Sequence, residues 1–325
     1  MNTLLENSIT SSAIEGERLN VQSVRSSLAK RLDLSGSDEV AYPTSERTEG
    51  LAEMMLDAIT NLETPLTLER ACQWHQWLFP NAGFSLHSIQ TGQLRGDEPM
   101  QVVSGRIDRP TVHFEAPPRN RLEPELSRFF DWFNRSRNDP KCDPLLRAAI
   151  SHFWFVTLHP FDDGNARLTR AITDLALAQA DAQSIRLYAM SSVILENRKA
   201  YYNILEKSQR SDTDITEWLT WFLQMLEETI QVSLTKIDRT LQKTRFWQQF
   251  HSAGLSDEQI KVLNRLLDGG DKGFESGISA SQYQKVARVS KATATRHLSD
   301  LLDKGCIEKL PGGGRSTRYK IAGNR

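Results

Sequence analysis

The chain has 325 residues, of which 39% are hydrophobic and 25% charged, with 18 Gly and 12 Pro. This length and composition exclude collagen-like, disordered and membrane-spanning proteins, and they suffice for two or three globular domains. The net charge of −1 conceals an uneven distribution. From His251 onward 13 Lys and Arg stand against 8 Asp and Glu, whereas residues 1–250 carry 27 against 33. A basic segment that follows an acidic body indicates two functions.

The N-terminal residues lack the basic region and continuous apolar segment of a secretory signal, so the sequence predicts a cytoplasmic protein with no membrane partner. Cys72, Cys142 and Cys306 are odd in number and far apart. Because no Cys-X-X-Cys pair is present, we interpret them as isolated thiols rather than as metal ligands or a redox pair.

Most of the first 250 residues have apolar side chains at steps of three and four, which is typical of amphipathic helices. The predicted helices are 51–62, 122–134, 145–158, 166–180 and 214–250. In the last of them, an apolar stripe at Ile230, Leu234, Ile237 and Leu241 predicts a helix that closes the body.

Residues 88–118 interrupt this helical pattern with Gly, Pro and Arg. The segments around Val102 and at 112–114 predict the two short strands of a hairpin. An irregular connection of this length in a helical body is more often functional than idle.

The last seventy or so residues predict a separate module. Three helices are expected at 257–267, 281–287 and 290–303, the last with Ser290 as its N-cap. Two strands with alternating apolar residues, 306–310 and 317–321, flank a glycine-rich turn. Three helices followed by a β-wing are the outline of a winged helix-turn-helix domain.

The most informative segment is HPFDDGNARLTR, residues 159–170, which lies between two apolar helices. Backbone amides of Gly164 and Asn165, at the start of the second helix, carry partial positive charge that suits a phosphate. Glycine also permits a close approach of the backbone to that phosphate. Arg167 and Arg170 are three residues apart and so share one helix face, where two guanidinium groups can hold successive phosphates.

Two further side chains of this segment complete a transfer site. Asp163 offers a hard oxygen ligand for a magnesium ion that bridges the phosphates. His159, whose ordinary pKa is about 6.5, can accept a proton from an incoming hydroxyl. Together these residues predict phosphoryl or nucleotidyl transfer.

Residues 159–170 resemble the signature of the Fic family, and every discriminating position of that signature is met. The resemblance implies a mainly α, Fic-type helical core with a β-hairpin flap. It assigns the general base to His159, the Mg²⁺ ligand to Asp163 and the α-phosphate anion hole to Gly164 with Asn165. It assigns the β- and γ-phosphate contacts to Arg167 and Arg170, and it counts Ala166 among the nucleotide-binding residues. Ala166 stands where glycine is commoner, which adds only a methyl group. Because the full arginine pair is kept, the resemblance favours transfer of AMP from ATP.

Two other segments are similar to parts of this family outside the signature. Val112, His113, Phe114 and Glu115 resemble its flap, which aligns a target by main-chain pairing. Tyr201, in the segment after the active helix, resembles the tyrosine that helps to form the adenine pocket.

The segment SSAIEG, residues 11–16, resembles the inhibitory motif of the same family. The resemblance places Ser11, Glu15 and Gly16 on an N-terminal helix and directs Glu15 to Arg170, where it displaces the γ-phosphate. A carboxylate competes directly with a phosphate for guanidinium donors. We therefore divide the chain into an N-terminal inhibitory region (1–45), a Fic catalytic domain with its closing helix (46–250) and a winged helix-turn-helix domain (251–325).

The resulting prediction is a self-inhibited protein adenylyltransferase. It would use ATP and Mg²⁺ to modify a Ser, Thr or Tyr hydroxyl of a target protein or of itself, and a homodimer is possible. Two alternatives stay open. The first is a DNA-binding regulator that uses a basic face of the third helix and wing, namely Lys291, Thr293, Thr295, Arg296, Arg315 and Arg318. The second is removal of AMP from a modified protein, with Glu15 positioning a water.

Overall fold

The computed structural model describes residues 1–33, 42–80, 89–106, 109–181, 188–211, 213–269, 274, 276–312 and 317–323. The chain forms two compact units, Met1–Gln231 and Val232–Arg325. The three-part division expected from the sequence stays a prediction.

The first unit is helical apart from one hairpin, which confirms the predicted mainly α fold class. Its helices are α1 (Asn2–Ile14), α2 (Val21–Arg31), α3 (Glu46–Thr60), α4 (Leu68–Leu78), α5 (Arg119–Ser136), α6 (Pro144–Leu158), α7 (Asn165–Asp181), α8 (Met190–Glu196) and α9 (Arg198–Gln209). A longer helix, α10 (Thr216–Phe250), begins in this unit and ends in the second.

Polar caps outside the apolar pattern determine where several helices begin. Helix α3 starts before the predicted position because Ser45 and Thr48 form a reciprocal capping box. Helix α6 starts at Pro144 because Asp143 is its N-cap. The Asp143 carboxylate accepts hydrogen bonds from the amides of Leu145 and Leu146.

Helix α7 lies at the centre of the first unit and is buried on nearly every side. Apolar residues along it, including Leu168, Ile172 and Leu175, belong to the main hydrophobic core with residues of α3 to α6 and α8 to α10. Burying a helix that also carries Arg167 and Arg170 is costly unless both cations are paired. Their partners are therefore part of the fold as well as of the site.

The predicted hairpin is confirmed. Strands β1 (Gln101–Arg106) and β2 (Arg109–Glu115) pair antiparallel, with Val102 opposite Phe114. The register shifts between Val102 and Val103, which marks a bulge or irregularity in the ladder.

Besides the end of α10, the described part of the second unit contains three helices and a small antiparallel sheet with strand order β3-β5-β4. Its elements are α11 (Asp257–Asp268), β3 (Ile278–Ser279), α12 (Ala280–Ala287), α13 (Lys291–Asp303), β4 (Ile307–Lys309) and β5 (Arg318–Ile321). The Ser290 cap is confirmed, since its hydroxyl accepts the amide of Thr293. Strand β3 was not expected, because two residues give no periodicity to read. The winged-helix assignment stays a prediction, and Arg315 lies outside the described residues.

Three of the four residues of the apolar stripe of α10 are exposed to solvent and Ile237 is partly buried, contrary to the closing role expected for the stripe. Ile230, Leu234 and Leu241 are 40%, 49% and 46% exposed. Amphipathic spacing identifies one face of a helix but does not identify the surface that covers it. The homodimer expected from the sequence stays a prediction.

Within the described residues, no helix combines the length and apolarity needed to cross a bilayer. All three cysteines lie in the described part of the chain and are free thiols, with Cys306 buried and Cys72 and Cys142 partly buried.

Candidate active site

His159 lies at the junction between α6 and the loop that leads to α7. It ends α6 in the left-handed conformation, with φ of 47°, and its amide donates to the carbonyl of Phe155. Its Nδ1 is 3.2 Å from the carbonyl oxygen of Val156. Because a carbonyl only accepts, Nδ1 carries the proton and Nε2 is left as a free acceptor. Burial lowers the pKa of His159 below 6.5, so the imidazole is neutral near pH 7. These are the properties of a general base.

A buried arginine that was not predicted from the sequence anchors this junction. Arg95 donates from Nε to the carbonyl of His159 at 2.9 Å, and from a terminal nitrogen to the carbonyl of Pro117. Its own amide donates to the carbonyl of Pro160 at 3.0 Å. Arg95 thereby connects the base to the end of the flap. An arginine in an irregular segment gives no sign in the sequence that it will be buried.

His75 holds the loop between the two helices from the other side. Its Nε2 donates to the carbonyl of Asp163 at 3.1 Å, and its Nδ1 accepts the amide of Gly92 at 2.9 Å. The ring stacks on Phe161 with centroids 4.4 Å apart. His75 is fully buried and supports the turn that precedes α7.

Asn165 and Gly164 have structural roles in the turn. The Asn165 side chain accepts the amide of Phe161 at 2.9 Å and donates to its carbonyl at 2.7 Å, which closes the loop. Gly164 has φ of +77°, and a Cβ at this position would come within 2.7 Å of the Phe79 ring. The glycine is thus required by backbone conformation and by packing, whereas the sequence suggested only an approach to phosphate.

Gly164→Ala is expected to lower the free energy of unfolding of the first unit by about 1–3 kcal/mol, because a left-handed alanine is strained and its methyl group meets Phe79. Urea unfolding of the two proteins would measure this difference. If the contact contributes, Phe79→Leu introduced beside Gly164→Ala should recover part of the loss. Equal stability of wild type and Gly164→Ala would contradict the packing role.

Arg170 is 3% exposed, and every nitrogen of its guanidinium has a partner near the end of α1. Nε donates to Ser11 Oγ and one terminal nitrogen to the Ser11 carbonyl, both at 2.8 Å. The other donates to Glu15 Oε1 at 2.9 Å. The predicted approach of Glu15 to Arg170 is therefore present in the geometry. A buried hydrogen bond of 2.6 Å from Asn7 to Asp174 also fastens α1 to α7.

Arg167 is also buried and paired with a carboxylate. Its NH1 lies 2.8 Å from Glu17 Oε2, and its NH2 lies 3.8 Å from Asp163 Oδ1. Glu17 lies one residue beyond the inhibitory motif and was not predicted from the sequence.

A cleft of about 620 Å³ opens above the start of α7. It is lined by His159 and Ala166 on one side, by Glu15 and Tyr202, and by the flap residue Phe114. The structure thus gathers His159, the N-terminus of α7, Glu15 and the hairpin around one cavity.

Tyr201 also lines this cleft, but its side chain is fully buried and its hydroxyl is 2.9 Å from Nε2 of His152. Burial lowers the pKa of His152 to about 3, so this hydrogen bond joins two neutral groups. The neighbouring Tyr202 hydroxyl lies 3.4 Å from both carboxylate oxygens of Glu15. The adenine-pocket role of Tyr201 stays a prediction.

Helix α9 holds the flap. His113 Nδ1 donates to Glu206 at 2.6 Å, and Arg210 donates to the carbonyls of Val112 and His113 at 3.1 Å each. Val112 and Glu115 have exposed side chains, while Phe114 is partly buried. The target-docking role of these four residues stays a prediction.

Asp163 can contribute one carboxylate to a magnesium ion. Its side chain is 58% exposed and its backbone is fixed by His75. Across the described residues, no group of three His, Cys, Asp or Glu side chains could enclose a metal ion. Mg²⁺ is commonly held by one or two carboxylates, with substrate phosphates and water completing the shell, so a single aspartate fits it.

Comparison with known families agrees with this geometry. Residues 65–177, which include the His159 junction and most of α7, match the Fic/DOC family. The chain carries a Fic/DOC domain. Residues 1–34, which contain Glu15 and Glu17, match a second family described as a domain of unknown function, DUF4172.

Curated relatives of this chain are named protein adenylyltransferase Fic. The relative from Nematostella vectensis is 22% identical over 224 residues, which is 69% of this chain and 47% of the relative. The relative from Drosophila virilis is 24% identical over 273 residues, 82% of this chain and 50% of the relative. The chain thus spans about half the length of the curated relatives it matches.

Solved structures show that the fold is shared. A Fic family protein from Desulfovibrio desulfuricans aligns with a TM-score of 0.51 at 18% identity, covering 99% of this chain and 87% of its own. A Fic domain containing signaling protein from Bacteroides thetaiotaomicron aligns with a TM-score of 0.53 at 18% identity, covering 72% and 85%. The Fic-type fold predicted from residues 159–170 is confirmed.

Proposed function

We propose that this protein transfers AMP from ATP to a Ser, Thr or Tyr hydroxyl of a protein, itself included. One observation carries the proposal: a neutral histidine with a free Nε2 shares a cleft with a helix N-terminus whose first turns hold two buried arginines. The names of the curated relatives support the same activity.

The reaction would be an in-line displacement at the α-phosphorus. The target oxygen forms a bond to this phosphorus while the bond to the bridging oxygen of the β-phosphate breaks. The hydroxyl proton passes to Nε2 of His159. The products are an AMP ester on the target and pyrophosphate, so atoms and charge balance without any other reactant.

Each phosphate would meet a different part of the site. The backbone amides at Asn165 and Ala166 would hold the α-phosphate at the start of α7, joined by that of Gly164 once it leaves Asp163 Oδ1, to which it donates. Arg167 and Arg170 would bind the β- and γ-phosphates. Asp163 would hold Mg²⁺, which neutralises charge on the phosphates when bound. Arg167 and Arg170 would stabilise the negative charge that develops on the leaving pyrophosphate.

The proposed target lies along the flap. An extended segment of the target would pair with the edge of the hairpin at residues 112–115. The pairing would use main-chain hydrogen bonds, so it would not depend on the side chains of the target. This mode directs a hydroxyl side chain toward His159 without specifying its neighbours. The cytoplasmic location expected from the sequence stays a prediction.

We also propose that α1 restrains the reaction. Arg170 is engaged at all of its nitrogens by Ser11 and Glu15, so a phosphate reaches it only if these contacts open.

Labelled ATP tests the transfer directly. The purified protein, alone and with added lysate, is incubated with Mg²⁺ and ATP labelled on the α- or on the γ-phosphate. AMP transfer places only the α-label on protein. Transfer of the γ-label would identify a kinase and overturn the proposal, and the absence of either label from a Glu15→Gly protein would do so as well.

A second candidate function is duplex DNA binding by the second unit, and the exposed cations of α12 and α13 favour it. Lys285, Arg288, Lys291 and Arg296 are all exposed. The nearby acids are engaged, because Asp300 pairs with Lys304 at 2.7 Å and Glu308 pairs with Lys320 at 2.8 Å. The exposed cations of α12 and α13 are therefore the feature that favours this function.

The wing contributes less to this face than we expected. Arg318 donates a hydrogen bond from NH1 to the carbonyl of Gly277 at 2.8 Å, so this nitrogen already has a partner in the second unit. The Thr295 hydroxyl donates a hydrogen bond to the carbonyl of Lys291. The Thr293 hydroxyl lies 2.9 Å from Ser290 Oγ. Phosphate attraction would thus come chiefly from the helices.

Replacing both Lys291 and Arg296 by Ala is expected to weaken duplex binding. The slope of log K against log salt should also become shallower, by up to about 0.9 for each phosphate that is no longer neutralised. Fluorescence anisotropy with a labelled duplex measures both quantities. Lys261→Ala, which removes an exposed cation of α11, is the control. Equal binding by wild type and the double variant would exclude this face.

A further inference from the structure

The end of α1 is a turn that presents two carboxylates. Gly16 adopts φ of +80°, its amide donates to the carbonyl of Ala13 at 3.0 Å, and the amide of Glu17 donates to the carbonyl of Ser12 at 3.1 Å. These are the two hydrogen bonds of a Schellman motif, which reverses the chain at a left-handed glycine. The reversal leaves Glu15 on one side of Gly16 and Glu17 on the other.

Glu17 lies between two arginines from different helices. Its Oε2 is 2.8 Å from NH1 of Arg167 on α7, and its Oε1 is 2.5 Å from Nε of Arg47 on α3. The Glu17 and Arg167 side chains are 15% and 6% exposed, so this pair is largely shielded from water, whereas Arg47 is half exposed. Shielding strengthens the attraction between opposite charges.

The two signature arginines differ in how completely they are satisfied. Arg170 has a partner at each nitrogen. The Nε of Arg167 is buried and has no hydrogen-bond acceptor within the described part of the chain. A buried donor without an acceptor is unfavourable. A phosphate, with several oxygens, can engage more of these donors than Glu17 does, so Arg167 keeps a capacity for an anion that Glu17 only partly fills.

We propose that Glu17 is a second intramolecular competitor for the nucleotide, acting on Arg167 as Glu15 acts on Arg170. Arg47 holds Glu17 in place by pairing with its other oxygen. One turn at Gly16 then blocks both arginines that the phosphates require. This inference rests on the proposed function, because it takes the nucleotide to be the anion that the arginines bind.

Glu17→Gln tests the inference, since the amide keeps the shape of the side chain and removes its charge. The ligand is Mg²⁺ with an ATP analogue whose α,β-bridging oxygen is replaced by CH₂, and calorimetry measures its Kd. We expect Glu17→Gln to bind about tenfold more tightly than wild type, and Glu15→Gly with Glu17→Gln to bind more tightly than either single variant. Glu123→Gln, which removes an exposed ion pair of 2.7 Å with Arg119, should leave Kd unchanged.

A second variant shows whether the effect of Glu17→Gln on Kd comes from the lost charge or from misfolding. Glu17→Asp keeps the charge but shortens the side chain by one methylene, so it should bind the analogue with an affinity between those of wild type and Glu17→Gln. Thermal melting without nucleotide reports the folded state of each protein.

The outcomes separate the two proposals. If Glu15→Gly tightens binding but neither change at Glu17 does, the inference fails and the proposed function survives. If no variant binds the analogue, the proposed function fails, and the inference with it. Additive effects of the two carboxylates on Kd support two separate contacts.

Discussion

Glu15→Gly is expected to raise the rate of AMP transfer by about tenfold or more. The change removes the carboxylate that lies 2.9 Å from Arg170 and so frees one terminal nitrogen for the γ-phosphate. Ser11 still contacts Arg170 through its hydroxyl and carbonyl, so α1 keeps its position. The rate is measured with α-labelled ATP as label on protein per minute, at ATP concentrations that span Kd.

A matched control separates release of Arg170 from a general loosening of α1. Ser11→Ala removes one uncharged acceptor of the same arginine but leaves the Glu15 charge, and we expect a much smaller rise. An unchanged rate in Glu15→Gly would remove the basis for inhibition. A wild type that releases AMP from a modified target, with the release lost in Glu15→Gly, would instead indicate AMP removal, because Glu15 would then be required rather than inhibitory.

The sequence predicted the parts of the site that depend on local spacing. Arg167 and Arg170 share one face of α7 because they are three residues apart. The contact from Glu15 to Arg170 joins residues 155 apart, and it was reached only through resemblance to a family. Spacing alone does not carry information about such pairs.

The residues that were not predicted act across the fold. Each of them connects segments that are far apart in the chain. Arg95 connects the end of the flap with His159, and His75 connects α4 with the loop before α7. Glu17 connects the turn after α1 with α3 and α7. None of them repeats a pattern that could be read in its own neighbourhood. Their partners become visible only when the helices are packed, which is why burial of polar groups is hard to predict locally.

The same limit applies to apolar residues. The stripe at Ile230, Leu234 and Leu241 has the spacing of a packed helix face and is nevertheless exposed. Periodicity reports that a helix has an apolar side, but what covers that side depends on the neighbours. In contrast, α7 is buried on nearly every side, because polar residues such as Asn165 and Arg170 find partners in the core.

Replacing His159 is expected to reduce the rate of AMP transfer by about 10²–10⁴-fold, the range over which a general base contributes. His159→Asn is the sharper of two variants, because its amide can still donate toward Val156 while no nitrogen remains to accept a proton. His159→Ala removes the whole ring. Kd for the ATP analogue should change little in either, since the arginines that would bind phosphate contact the end of α1 and not His159.

The pH dependence of the rate gives an independent test of the same assignment. Burial lowers the pKa of His159, so the base is deprotonated and active above that pKa and is lost as pH falls through it. The rate of the Glu15→Gly protein should therefore be level near pH 7 and decline with a midpoint below 6.5. Residual activity in His159→Asn should lack this acidic limb. If the limb persists in the variant, a different group takes the proton, and the role assigned to the free Nε2 would be wrong.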